Sequence, residues 1–156
     1  MFRTLRLPAL LLAAVTACSS TDSQIRDAQV IETTAFAPAL GVNLTASTKL
    51  PSGMYIRDIT VGTGADVAAG QNVSMRYTGA FTSGIPFDAN TSGAPFQFRL
   101  GAGQVIAGWD QGVPGMKVGG VRQLIIPSSL GYGRSDYASI PGGSILVFTV
   151  TVVSVP

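Results

Sequence analysis

Gln71-Asn72-Val73-Ser74-Met75-Arg76-Tyr77-Thr78-Gly79-Ala80-Phe81 alternates in character along its length. Val73, Met75, Tyr77 and Phe81 fall on one face, while Ser74, Arg76 and Thr78 fall on the other. A period of two is that of a strand with one side against a core. Thr82-Ser83-Gly84 then turns the chain. Upstream, Met54 to Val61 reads as a strand, with Gly62-Thr63-Gly64 and Ala69-Gly70 as turn text. Downstream, Phe96 to Leu100 is another short strand. Val121 to Ile126 and Ser144 to Val153 are dense in β-branched residues and make the last two. One brief helix is expected over Val105 to Gly112, ended by Pro114 and Gly115. Five strands and one short helix predict an α+β domain with an antiparallel sheet.

The first residues read differently. Arg3 and Arg6 precede an apolar run from Leu7 to Val15, and small residues follow before Cys18. A basic start, a short apolar run and small residues predict a signal peptide over residues 1–17. The run is too short to span a bilayer, which takes about 20 residues. Val15-Thr16-Ala17-Cys18 resembles a bacterial lipobox, which implies lipidation of Cys18 by acyl chains such as palmitate; the alternative is an ordinary signal with a chance cysteine. Each buried methylene contributes about 0.8 kcal/mol, so several acyl chains hold a protein at a membrane. Ser19 after the cysteine implies, by likeness to lipoproteins of Gram-negative bacteria, an outer-membrane anchor facing the periplasm.

Residues 18–49 are rich in Ser, Thr, Ala, Asp and Gln and are expected to be a lipidated N-terminus and flexible linker. A weak helix or strand over Ile25 to Phe36 stays open. Leu50-Pro51-Ser52-Gly53 marks the start of a domain over 50–156. Loss of the leader removes two arginines and leaves eight basic and eight acidic residues. A chain that is neutral once the leader is gone gives no reason to expect a nucleic-acid partner, and Arg and Lys are too sparse to line a groove for one.

Much catalytic chemistry is excluded by residue type. The chain has no histidine, so the usual base of a nucleophilic triad is missing. Its only cysteine is Cys18. A zinc site would lack both His and Cys ligands, and no metal is expected. Asp58, Asp66, Asp88, Asp110 and Asp136 lie on different elements and form no paired-carboxylate motif. Gly101-Ala102-Gly103 lacks the further glycine or Lys-Ser/Thr pair of a phosphate loop. No cofactor is called for. What remains is a set of spaced rings, Tyr77, Phe87, Phe96, Trp109, Tyr132 and Phe148, in Gly- and Pro-punctuated strand text.

Several blocks occur in order: Tyr77-Thr78-Gly79; Gly84-Ile85-Pro86-Phe87-Asp88; Pro95 to Gly101 running into Val105-Ile106-Ala107-Gly108-Trp109; Gly115-Met116-Lys117-Val118-Gly119; Gly131-Tyr132-Gly133; and Leu146-Val147-Phe148. Together they closely resemble the FKBP-type peptidyl-prolyl cis–trans isomerases over residues 50–156. The resemblance implies a twisted five-stranded antiparallel sheet wrapped around one short helix. It implies rotation of X–Pro bonds in exported polypeptides as the activity, and macrolides as possible inhibitors. Carried over by motif, Trp109 is the pocket floor, with Tyr77, Phe87, Phe96, Val105, Ile106 and Phe148 as walls. Asp88 and Tyr132 supply a polar edge, the Ile106 N–H is a further donor, and Ile140 before Pro141 is an apolar residue on an overhanging loop. Phe87, Asp88, Trp109 and Tyr132 are the catalytic set.

Plainer readings accompany these. Trp109 and Phe148 fit a core, Tyr77 fits an inward strand position, and Asp88 fits a turn. The chain also departs from the family pattern. Asp-Ala-Asn-Thr-Ser-Gly-Ala-Pro over 88–95 lacks an arginine often found near the pocket aspartate, and the loop over 134–143 lacks a common histidine and carries Tyr137. These departures leave open a non-catalytic module that holds proline-containing segments or acts as a chaperone.

Overall fold

The strand read from the alternating stretch, β3, Asn72–Phe81, is the longest and the hub of the sheet. The structure is a computed structural model that describes residues 30–156. The signal peptide over 1–17 and the lipidation of Cys18 lie outside the described residues. One edge of β3 pairs with Leu146–Ser154, the last strand. The other edge is shared by Pro86–Asn90 and Phe96–Arg99. Val121–Ile126 pairs with the last strand, Tyr55–Thr60 with it in turn, and Thr48–Lys49 closes that side. In chain order these are β1 (Thr48–Lys49), β2 (Tyr55–Thr60), β3, β4 (Pro86–Asn90), β5 (Phe96–Arg99), β6 (Val121–Ile126) and β7 (Leu146–Ser154), every pairing antiparallel.

The sheet is the antiparallel one expected, with seven strands in place of five. The added ones are β1 and β4. β1 has two residues, too few to show a period. β4 opens on a proline and keeps a partner on one side only, as edge strands tolerate. Its polar, turn-like text hides it.

The helix is α1, Ala107–Gly112. It starts two residues later than expected because Ile106 is extended, with φ −59° and ψ 146°. Its fit to the sheet is tight: a Cβ on Gly108 would stand 2.6 Å from Ile126 Cγ2. Arg122 on β6 holds the far end. Its Nη1 donates to the carbonyls of Gly112 and Pro114 at 2.9 and 3.2 Å, and its Nε and Nη2 donate to Asp58 on β2 at 2.6 and 2.9 Å. A guanidinium that is 6% exposed is thereby fully engaged, and it satisfies carbonyls a helix end leaves open. At the near end Asp110 accepts from the N–H groups of Gly101 and Gly103, at 2.7 and 3.1 Å.

Alternation along the strands gives the sheet two apolar sides. Leu124, Ile126, Phe148 and Val150 join Trp109 in the main core under α1. Tyr55, Ile125 and Val147, paired in register, face the other way and form a second cluster with Ile31 and Ile145.

That second cluster corrects the flexible linker expected over 18–49. Its described part, residues 30–49, lies on the sheet as a strap. Ile31 is 3% exposed, and Phe36, Leu40, Val42 and Leu44 pack on the cluster. Three short 3-10 turns carry it, so neither helix nor strand forms over Ile31–Phe36 apart from the turn Ile31–Thr33. Gln123, 2% exposed, donates through Nε2 to the Leu40 carbonyl at 2.8 Å, and Arg57 donates to the Gly41 carbonyl at 2.7 Å. The Ala37 N–H donates to the Thr82 carbonyl at 2.8 Å. Glu32 Oε1 accepts from both Lys49 and the Tyr55 hydroxyl. Those bonds hold the Glu32 carboxyl down at about 2.

Candidate functional site

On the main-core side, between α1 and the sheet, lies an open cavity of about 240 Å³. Tyr77, Asp88, Phe96, Gln104, Val105, Ile106, Trp109, Tyr132 and Phe148 line it. It is smaller than the roughly 300–1,000 Å³ of sites for drug-sized ligands and suits one compact apolar group.

Trp109 is 3% exposed, and being on α1 it also belongs to the core. Both roles drawn from the sequence therefore meet in one side chain. Its ring meets Tyr77 at 5.1 Å and Phe148 at 5.4 Å, each close to perpendicular. Phe96 joins from β5 at 6.2 Å. Edge-to-face pairs of this kind contribute about 0.5–1.5 kcal/mol each beyond burial, so the rings fix one another before any guest arrives.

The close packing has a backbone requirement. A Cβ on Gly79 would lie 2.6 Å from the Phe148 ring and 2.8 Å from the Phe87 ring. Glycine at that point of β3 is what lets both rings cross the sheet. Phe87 is thus brought to the site from behind: it does not line the cavity, but sits edge-on to Phe148 at 5.5 Å.

The polar edge comes from three places. Tyr77 donates its hydroxyl to Asp88 Oδ2 at 2.8 Å across the β3–β4 pair. Burial, and then this bond, push the Tyr77 phenol up to about 12, so it stays a donor at ordinary pH. Asp88 itself is solvent-exposed at the rim rather than enclosed. No arginine joins it among the described residues; Arg76 instead donates to Asn90 and to the Gly93 carbonyl, shaping the turn after β4. Tyr132 is raised by burial, then by the charge on Asp88. The Ile106 N–H, at the start of α1, has no protein acceptor among the described residues.

Besides Phe87, Ile140 and Gln104 are placed differently from the sequence reading. Ile140 is 7% exposed and sits in the main core, off the cavity lining. The exposed ring of that loop is Tyr137, which stacks on Tyr132 at 4.9 Å and 16°. Gln104 lines the cavity, with its Oε1 held by the Arg99 N–H at 2.8 Å; only its place just before Val105 could have pointed to it. Among the described residues no group of three or more His, Cys, Asp or Glu is placed to hold a metal ion. The site offers shape, rings and donors, with neither a nucleophile–base pair nor a metal cradle among the described residues.

Residues 64–153 match the model of a family described as FKBP-type peptidyl-prolyl cis-trans isomerase. Over 109 residues the chain is 50% identical to FK506-binding protein 4 of Mycosarcoma maydis, covering 70% of this chain and 29% of that protein. The chain thus spans less than a third of that relative's length. Among solved structures, a peptidyl-prolyl cis-trans isomerase of Pseudomonas syringae is similar at a TM-score of 0.63 and 32% identity, covering 70% of this chain and 80% of that one. FkpA from Escherichia coli is similar at 0.70 and 30%, covering 86% and 61%.

Proposed function

The chain belongs to the FKBP-type peptidyl-prolyl cis–trans isomerases, and on that premise we propose that its cavity accelerates rotation about X–Pro bonds in polypeptide clients. The observation that carries this reading is the convergence of Trp109, Tyr77, Phe96 and Phe148 on one cavity with a polar rim.

Amide resonance sets a barrier of about 18–20 kcal/mol to rotation, so uncatalysed exchange takes tens to hundreds of seconds. Halfway round, the resonance is broken: the carbonyl loses polarity and the nitrogen becomes pyramidal. Burial among rings penalises the planar, more polar amide more than the twisted one. With the proline ring on Trp109, the Ile106 N–H and the Tyr132 hydroxyl are the donors that hold the flanking carbonyls in the twisted geometry. No proton moves and no bond is made, so a chain without histidine suffices. Each tenfold gain requires about 1.4 kcal/mol, within reach of a few such contacts.

The direct test is a refolding or peptide assay limited by proline isomerisation, run with the purified full-length chain. Acceleration that saturates with substrate is expected. Macrolide binding without any acceleration would assign the cavity to holding proline segments instead.

The clients are exported polypeptides, and the protein acts from a membrane as a lipid-anchored periplasmic form, most simply at the outer membrane. What supports this is the leader over residues 1–17 and the lipobox-like stretch ending at Cys18. Acyl-chain labelling that survives in the natural chain and vanishes in Cys18→Ser tests it independently of the isomerase assay.

A further inference from the structure

Seven rings of the main core form one connected network: Trp109 meets Tyr77, Phe96, Phe98 and Phe148, and Phe87 extends it to Phe81. Tyr132 stands outside that network. It packs on the edge of the main core, but its ring partner is Tyr137 alone, face to face. Its backbone is held, since the Gly131 and Gly133 N–H groups both donate to the Ser128 carbonyl at 3.0 and 2.8 Å, which leaves the rotation of the ring to be set by its neighbours. One of the rings that edge the cavity therefore has its only ring contact among the described residues with the loop.

That loop is built to hold a ring. Tyr137 is 59% exposed, so its ring is not placed by burial. It is placed by backbone: the Tyr137 N–H donates to the Ile140 carbonyl at 2.9 Å and the Ile140 N–H donates back at 2.8 Å. Ile140 is the anchor of this pair, sunk in the main core. Asp136 Oδ1 accepts from the Gly142 N–H at 2.8 Å and closes the loop from the side. Between Tyr137 and Ile140, Ala138 takes φ 50°, the left-handed region that alanine rarely enters. It is the one non-glycine residue with positive φ among the described residues. Strain of this kind persists where its surroundings over-determine it and concentrates at functional sites.

We propose that Tyr137 is the positioning residue for Tyr132, its stacked ring holding the Tyr132 hydroxyl toward the cavity and thereby setting both affinity and turnover for X–Pro segments. The inference rests on the isomerase reading of the cavity, and deepens it. It also gives the exposed aromatic side chain a role that folding does not supply, since a ring at a polar loop tip buries little of itself.

The test uses the full-length chain with Tyr137→Phe, Tyr137→Ala, Tyr132→Ala and the double Ala variant. Activity is read as kcat/KM on a Leu-Pro tetrapeptide. Affinity for the same peptide is read from the fluorescence of Trp109, the only tryptophan. Tyr137→Phe keeps the stack and is expected to stay near the natural value. Tyr137→Ala is expected to lower kcat/KM by about two- to tenfold, the effect of one aromatic pair, with the unfolding midpoint unchanged. In the Tyr132→Ala background the same change is expected to do nothing further, because its effect runs through Tyr132. Equal losses in both backgrounds, or no loss in either, overturn the proposal.

If the natural chain turns out not to accelerate isomerisation, the isomerase reading fails and the peptide affinities still decide the role of Tyr137. A readout free of any ligand completes the test. With isotope-labelled tyrosine, the Tyr132 ring resonances are expected to move toward those of a mobile ring in Tyr137→Ala and to hold in Tyr137→Phe. Unchanged Tyr132 resonances in Tyr137→Ala overturn the proposal on their own. Should Tyr137→Ala loosen the loop and lower the unfolding midpoint, Tyr137→Leu fills the space without a stack, and full activity there would have the same consequence.

Discussion

Val147 and Phe148 are neighbours on β7, yet they serve opposite sides of one sheet. Phe148 lines a cavity that stays open to a guest, while Val147 lies under a strap that the chain lays over itself. The inner side is a set of rings that fix one another and leave about 240 Å³ unfilled. The outer side is mostly aliphatic, filled by Ile31 and clamped through Gln123 and Arg57. Both sides bury apolar surface, so hydrophobicity alone does not tell a binding face from a structural one. What separates them is that the inner side leaves a cavity edged by the Tyr77, Asp88 and Tyr132 side chains, whereas the outer side engages strap carbonyls with its own side chains.

The sharpest break of this comparison is to remove the strap. A chain shortened to residues 50–156 loses Ile31 and uncovers Ile125, Ile145 and Val147. At about 1.5–3 kcal/mol per fully buried aliphatic side chain, a loss of about 4–8 kcal/mol is expected, a large part of the ~5–15 that a domain has. Denaturant unfolding measures it, and an unchanged midpoint would show that the outer cluster contributes nothing.

Next come paired truncations across the sheet. Ile125→Ala and Phe148→Ala should each lower stability by about 2–5 kcal/mol through cavity formation. Only Phe148→Ala should also raise KM for proline peptides. Equal KM effects from the two would mean that the faces are not separable.

A smaller effect is expected at the rim. Asp88→Ala and Tyr132→Phe each remove a polar group at the cavity edge, and each should lower kcat/KM about tenfold, or about 1.4 kcal/mol. Asp88 is exposed and Tyr132 keeps its ring, so thermal midpoints should barely move. A variant that unfolds instead identifies its side chain as structural.

The subtlest effect is on the strap alone, through pH. The Glu32 carboxyl lies at about 2 when folded against an ordinary 4.5, lowered by its bonds from Lys49 and Tyr55. A depressed carboxylate contributes fully above its unfolded value and is lost as pH falls through the folded one. Hydrogen exchange should therefore show residues 30–49 loosening between about pH 4.5 and about pH 2, ahead of β3. Glu32→Gln should abolish that window; the same pH profile in Glu32→Gln would place the titration elsewhere.

Much of the inner side was legible because its residues announce themselves. The alternation from Gln71 to Phe81 reports β3 directly, and the spaced aromatics report residues that the structure gathers round one cavity. The outer side was not legible. Ile31, Phe36, Leu40, Val42 and Leu44 follow no single period, since the strap is a string of three-residue turns set among Thr, Ala and Pro. Arg57 and Gln123 are polar residues within strands, and only the strap makes them clamps. Ile140 shows another limit. A resemblance transfers a position along a loop but not its rotation, and here the turn buries Ile140 and presents Tyr137.

Ile31, in the described part of the strap, packs on the side of the sheet opposite the cavity. A pull applied at Ile31 therefore acts on the face behind the bowl. For a protein held at Cys18, the stretch to Val30 reaches at most about 40 Å when fully drawn out, against more than twice that had the strap been loose. A leash of that length would keep the mouth close to its mooring.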